Sequence, residues 1–205
     1  MTWKLAPSLT AFQQWVYAKW PHHTHGQDGT IGDAAHQARH SDHNPSARGV
    51  VDAIDFNENG IHMPTLIVAA MMHPSTHYII YEGVEYSAHD LFGSSVYTGT
   101  GNPHAEHCHV SVWQTVKAEN SKTAWGVTAW PTLLNGSVGR AVSELQGYLN
   151  VYGSAPTLAV DGHYGDRTEE AVRSYQSRFA VPGGVDGVVG THTEYHLKTN
   201  QIHRM

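Results

Sequence analysis

"GNPHAEHCHVSVWQ", residues 101–114, decides how the first half of this chain folds. From His107 onward, two kinds of side chain alternate. A strand here turns His107, His109, Ser111 and Trp113 to one face and Cys108, Val110 and Val112 to the other. The second set is apolar and belongs against a core, where Cys108 acts as a small hydrophobe. The first set carries two imidazoles, and His104 and Glu106 stand just upstream.

A second cluster lies about sixty residues earlier, in "SDHNPSARGVVDAIDF", residues 41–56. His43 precedes an Asn44-Pro45 turn, and Asp52 and Asp55 interrupt an apolar run. Two neutral imidazoles and one carboxylate, His43, His109 and Asp55, suit zinc with a fourth position left for water. Zinc lowers the pKa of such a water to about 7. Glu106, three residues before His109, is the candidate to take the proton. In a fully extended strand Glu106 and His109 point to opposite faces. The reading therefore needs a bend around residues 103–106 and a strand that starts near His107. His107 shares the face of His109, and it either binds metal or orients the site through a hydrogen bond.

Around these clusters the pattern is α+β. "SLTAFQQWVYAKWP" predicts a first helix, capped by Ser8, with Leu9, Phe12, Val16 and Trp20 at helical spacing and Pro21 at its end. A polar His- and Gly-rich stretch follows, with a short helix expected over residues 34–39. "MPTLIVAAMMHP" is an apolar helix between prolines, and "HYIIYEGVEYSA" reads as two strands joined at Glu82-Gly83. Residues 118–132 are polar with Gly and Pro and read as a linker between a domain over residues 1–117 and another over 133–205. The second domain predicts amphipathic helices, the first capped by Ser137, and contains a repeat. "VDGHYGDRTE" (160–169) and "VDGVVGTHTE" (185–194) share Val-Asp-Gly-x-x-Gly-x-x-Thr-Glu. Each copy supplies an Asp-Gly turn followed by a helix start.

The bulk numbers narrow the functional classes. The chain has 205 residues and a formal charge of −6, which gives no general attraction to nucleic acid. No apolar run is long enough to span a membrane, and the N-terminus lacks the pattern of a secretory signal. One cysteine excludes an internal disulfide framework. Histidine is in excess at 17 residues, so spacing must decide which few bind metal.

The two clusters together resemble the zinc D-alanyl-D-alanine carboxypeptidase family, which includes vancomycin-resistance dipeptidases and phage endolysin peptidases. The resemblance covers roughly residues 30–115. It implies an α+β zinc peptidase domain, a small antiparallel sheet with helices, that cuts a peptide bond of the peptidoglycan stem or cross-link. It places the zinc ligands at His43, Asp55 and His109 and the general base at Glu106. His104 falls where the family has a histidine that binds substrate or the developing oxyanion. The family's upstream arginine has its nearest counterpart in Arg39, with Arg48 a weaker one. Arg39 and His107 are the expected substrate contacts. The spacing departs from the compact family pattern. Eleven residues separate His43 from Asp55 instead of six, which leaves Asp52 as a rival ligand.

"GSVGRAVSELQGYLN", "VDGHYGDRTEEAVRSYQ" and "VDGVVGTHTEYHL" resemble the small three-helix peptidoglycan-binding domain. The resemblance implies a small all-α domain that binds cell wall without chemistry, with Asp161, Gly162, Asp186 and Gly187 shaping the fold. Joined, the two halves imply a bacteriolytic wall hydrolase with bacterial peptidoglycan as its partner and a monomeric state. With no secretory signal expected, it would be made in a host cytoplasm and reach the wall through a membrane lesion, as a phage endolysin does. The competing class is a non-catalytic wall-binding protein with a structural metal site.

Overall fold

The computed structural model describes residues 3–32, 41–99 and 104–200. Its centre is a five-stranded antiparallel sheet in the order β3-β7-β4-β5-β6. The strands are β3 (Ala53–Asn57), β4 (Thr76–Tyr81), β5 (Val84–Ser87), β6 (Ser94–Val96) and β7 (His107–Val112). A short parallel pair, β1 (Lys4–Leu5) with β2 (Val50–Val51), leads the chain into its first helix. The turn between β4 and β5 falls at Glu82-Gly83 as expected, both residues taking positive φ (48° and 73°), the conformation a two-residue hairpin needs.

Helix α1 (Pro7–Lys19) begins two residues earlier than a cap at Ser8 implies. Pro7 sits in its first turn, where a missing N–H costs nothing, and Ala6 is the boundary residue. Ser8 is therefore not the cap but a fully buried residue inside the helix. Leu9, Phe12 and Val16 are buried on one face, and Phe12 meets Phe56 edge-on at 5.4 Å.

Helix α2 (Met63–Met71) is buried along its whole length. A helix that is apolar all round needs cover on two sides. The apolar face of the sheet, with Phe56, Cys108 and Val110, covers one. Helix α3 (Arg140–Val151), from the C-terminal part, covers the other. Gly147 permits the close approach: a Cβ there would stand 3.1 Å from Met71 Sδ and 3.4 Å from Val68 Cγ2. Thr65 and Tyr148 share a hydrogen bond of 2.8 Å across the same contact, and His62 Nε2 lies 2.7 Å from the Asn200 carbonyl.

Residues 118–132 do not hang free between the two parts. Trp125 is buried, stacks on His73 at 3.6 Å and on Phe12 at 4.1 Å, and donates to the Ser8 carbonyl at 2.9 Å. Trp130 is buried against α3. A one-turn helix, Val116–Glu119, precedes this strap.

The C-terminal part is helical: α3, α4 (Asp166–Arg178) and α5 (Thr191–Thr199). Gly139, not Ser137, is the boundary of α3, and Ser137 Oγ instead accepts from Leu134 N at 3.1 Å. The sequence repeat becomes a repeated hydrogen-bond network around two buried glutamines. Gln146 Nε2 donates to Asp161 Oδ1 (2.8 Å), the His163 carbonyl (3.1 Å) and Thr168 Oγ1 (3.3 Å). Gln176 Nε2 donates to Asp186 Oδ1 (2.8 Å), the Val188 carbonyl (3.0 Å) and Thr193 Oγ1 (3.3 Å). Gly162 and Gly187 take positive φ (76° and 70°), and each donates its N–H back to the glutamine of its own network. Asp161, Gly162, Asp186 and Gly187 thus shape the fold. Among the described residues no helix is long and apolar enough to cross a membrane.

Candidate metal centre

The polar face of the sheet carries the site. Strands β3 and β7 pair with Asp55 opposite His109, Asn57 opposite His107 and Ala53 opposite Ser111, so all these side chains share one face. His43 reaches the same place from a loop. That loop is tied down by Asp52 N donating to the Asp42 carbonyl (3.0 Å) and Gly32 N to the His43 carbonyl (3.0 Å). The outer edge of β3 is closed at Asp55 by a reciprocal pair of backbone bonds with Gly29.

Three atoms converge. His43 Nε2 lies 3.1 Å from His109 Nδ1 and 3.3 Å from Asp55 Oδ1, and His109 Nδ1 lies 3.0 Å from Asp55 Oδ1. A tetrahedral zinc with bonds of about 2.0–2.1 Å sets its ligand atoms about 3.3 Å apart, so the triangle fits. The protonation pattern fits as well. His43 Nδ1 donates to the Thr30 carbonyl at 3.0 Å, which leaves the Nε2 lone pair facing inward. Ser111 Oγ donates to Asp42 Oδ2 at 2.8 Å, so it accepts from His109 Nε2 at 3.0 Å and leaves Nδ1 as the inward lone pair. Gln114 holds the other Asp42 oxygen at 2.9 Å. Two lone pairs and a carboxylate oxygen pointed at one spot need a positive charge among them, a metal ion or, in the metal-free chain, a shared proton that makes the contacts to Asp55 hydrogen bonds. His43 and His109 are buried, whereas the Asp55 side chain is 22% exposed, so the centre opens on the Asp55 side.

Burial pushes the Asp55 carboxyl up, but hydrogen bonds and charge from His109 and His43 outweigh it and hold the group far below the usual carboxylate range. Burial likewise pulls His43 down, and the bond and charge of Asp55 overcome it and leave His43 raised. His104 and His107 border the open side. His107 Nε2 is 3.7 Å from Asp55 Oδ2, and the His104 ring lies 4.8 Å from that of His107 and 5.4 Å from that of His109. Burial first, then the neighbouring imidazoles, push His104 down to about 4, and burial lowers His107.

The other expected residues stand as follows. Strand β7 does start at His107, and Glu106 is exposed just ahead of it. Glu106 belongs to neither candidate ligand grouping among the described residues, though its charge is felt at His107. Arg39, Pro103 and the helix expected over residues 34–39 lie outside the described residues. Arg48 is committed to the Glu119 carboxylate and the Gln114 carbonyl. Cys108 is fully buried, and burial raises its thiol well above the ordinary range. Sequence reasoning missed Thr30, Asp42 and Gln114 as orienting groups. Alternation had placed Ser111 on the correct face, but nothing local marks Asp42.

Asp52 is no ligand. It is fully buried on the apolar side, and neither carboxylate oxygen has a hydrogen-bond partner among the described residues. Burial, then the charges of Glu119 and Asp42, push it up to about 7. Between about pH 4 and 7 the folded chain therefore holds a proton that the unfolded chain has released, and stability falls as pH rises through that window. Asp52→Asn mimics the protonated form. It should exceed the parent in stability by on the order of 3 kcal/mol at pH 8 and by nothing at pH 4. Urea unfolding at the two pH values checks this, and equal offsets at both would contradict it.

A model of the peptidoglycan binding domain family matches residues 138–197. Among solved structures, the chain is similar to the N-terminal domain of SleB, at 35% identity over 35% of this chain and 93% of that one, with a TM-score of 0.32. It is also similar to a peptidoglycan-binding protein from Clostridioides difficile in complex with glutamine hydroxamate. That similarity is 18% identity over 60% of this chain and 92% of the other, with a TM-score of 0.34. No curated protein matches. Through residues 138–197, the segment that builds the paired glutamine networks, the chain belongs to the peptidoglycan-binding domain family.

Proposed function

We propose that the chain is a zinc-dependent peptidoglycan peptidase that its C-terminal domain holds at the wall. The observation that carries this reading is the convergence of His43 Nε2, His109 Nδ1 and Asp55 Oδ1 on one point with an open side, in a chain with a peptidoglycan-binding domain. Bound there, zinc supplies a Lewis acid for the scissile carbonyl and an acidified water. His43 and His109 are held in the ligating tautomer by Thr30 and by the Ser111–Asp42 pair. Glu106, exposed ahead of β7, takes the proton of the attacking water and returns it to the leaving amine. His104, uncharged at neutral pH, donates a hydrogen bond to the carbonyl oxygen as negative charge builds there. His107 and Arg39 contact the substrate.

The wall-binding part packs behind α2, on the side of the sheet opposite the His and Asp face. It therefore holds the sheet in a fixed attitude to the wall and does not swing on a loose tether. The experiment is mass spectrometry of peptidoglycan digested with the full chain. Glu106→Gln should lower turnover by about a hundredfold or more while metal content stays at the parent level. Normal release of new peptide termini by Glu106→Gln, or by the parent in excess chelator, would end the mechanism. The exposure of Glu106 favours a second reading, a wall-binding protein with a structural metal. That reading expects wall binding with no new termini.

A further inference from the structure

Asp55 has two oxygens, and only Oδ1 is used in the triangle with His43 and His109. Oδ2 faces His107 Nε2 at 3.7 Å. His104 completes a second grouping: one ligand atom each from Asp55, His104 and His107 lies within 4.8 Å of the other two. The two groupings share Asp55 and no other residue. We propose that Asp55 is a bridging carboxylate and that its Oδ2, with His104 and His107, forms a second divalent-cation site beside the first.

Local backbone geometry supports the assignment. His104 and His107 are three apart, so a fully extended chain would turn them to opposite faces. His104 instead takes φ +56°, a left-handed conformation that a non-glycine residue rarely adopts, and its carbonyl is fixed by Glu82 N at 3.0 Å. That turn is what brings its ring beside those of His107 and His109. Strained residues of this kind concentrate at ligand sites because the surroundings must hold them there.

The donor set selects the metal class. Two imidazoles and one carboxylate oxygen suit zinc and its neighbours in the first transition row, and not magnesium or calcium, which prefer oxygen. Paired metals that share ligands usually sit about 3.5–4 Å apart, a distance one carboxylate can span. The second site is the looser of the two. Its ligand atoms are further apart, and the His107 side chain is 20% exposed against 5% for His43 and His109. It should fill after the first and empty before it. When it is filled, His104 and His107 serve as ligands and cease to be hydrogen-bond donors to substrate. The inference rests on the proposed metal centre and not on peptidase activity.

The test is titration of the metal-free full chain with Co(II), followed by visible absorption, electron paramagnetic resonance and native mass spectrometry. Two equivalents should bind, the second at least tenfold more weakly. The second should also attenuate the resonance signal of the first through the shared carboxylate. His104→Ala and His107→Ala should each take one equivalent with the spectrum of the first site unchanged. Because the chain has 17 histidines, a second equivalent that survives in both variants is bound elsewhere and overturns the proposal. Saturation of the parent at one Co(II) also overturns it, and this outcome does not depend on either variant folding. Two coupled ions without wall cleavage would sink the peptidase reading alone. One ion with cleavage would sink the bridge alone.

Discussion

Asp55→Ala should strip the metal centre and bring wall hydrolysis to background, a loss of about a thousandfold or more. Among the described residues, no other side chain has two imidazole nitrogens within 3.3 Å of one oxygen and a third imidazole on the other. Without it, two lone pairs face each other 3.1 Å apart and no anion offsets the charge of a divalent ion. The fold should survive, because the bonds between Asp55 and Gly29 are backbone bonds and remain. A second signature comes from acid unfolding of the metal-free chain. The depressed Asp55 carboxyl contributes stability that is fully present above the ordinary carboxylate pKa. That contribution fades as pH drops below about 4, because the unfolded chain then binds a proton the folded chain refuses. Metal-free Asp55→Ala should therefore show a shallower loss of stability below pH 4 than the metal-free parent. Metal analysis, digestion and acid unfolding curves check the three parts. Retention of a full metal equivalent with parental cleavage would remove Asp55 from the centre.

What the sequence revealed, and what it hid, follows from the range of each signal. Alternation within β7 is local, so the faces of Cys108, His109 and Ser111 could be read directly. The Glu82-Gly83 hairpin and the two Asp-Gly turns are local for the same reason. Strand parity also turns Asp52 and Asp55, three residues apart, to opposite faces, but it does not say which of them binds; the preference for Asp55 comes from the family resemblance. The Ser111–Asp42 contact is not local: it joins residues 69 apart through a loop whose path no periodicity encodes. Ser8 misled because a serine before an apolar run resembles a cap, yet Pro7 supplies the helix start and the chain enters from β1. Glu106 marks another limit, since its spacing from His109 suggested a role that strand geometry alone does not enforce. The strap over residues 118–132 reads as a linker from its polar composition. Its two tryptophans were the contrary signal, because large aromatic rings in a polar stretch usually find a surface to cover.

That strap yields the largest expected stability effect. Glu144 is fully buried on α3, and its carboxylate accepts from Thr128 N (2.9 and 3.0 Å), Thr128 Oγ1 (3.1 Å) and Trp130 Nε1 (2.7 Å). Arg140 Nε donates to it at 3.0 Å, and Arg140 Nη2 reaches on to the Gly126 carbonyl at 2.7 Å. One carboxylate thus gathers residues 126–130 onto the helix that also backs α2. Removing one partner of a buried ionic cluster costs more than the cluster contributes, because the groups left behind stay dehydrated and unpaired. Glu144→Ala strands the Trp130 indole N–H and the Thr128 N–H, so it should destabilise the chain by about 3–5 kcal/mol. The melting temperature should fall by roughly 10 °C. Glu144→Gln keeps the shape and one acceptor oxygen and should lose about half as much. Proteolysis should then cut first within residues 118–132, because their hold on α3 is what was weakened. Metal stoichiometry of the folded variant should match the parent, since the centre stands on the opposite face of the sheet from α2 and α3. A melting temperature within about 2 °C of the parent would show that the strap is held by its tryptophans alone and that the buried carboxylate adds nothing to it.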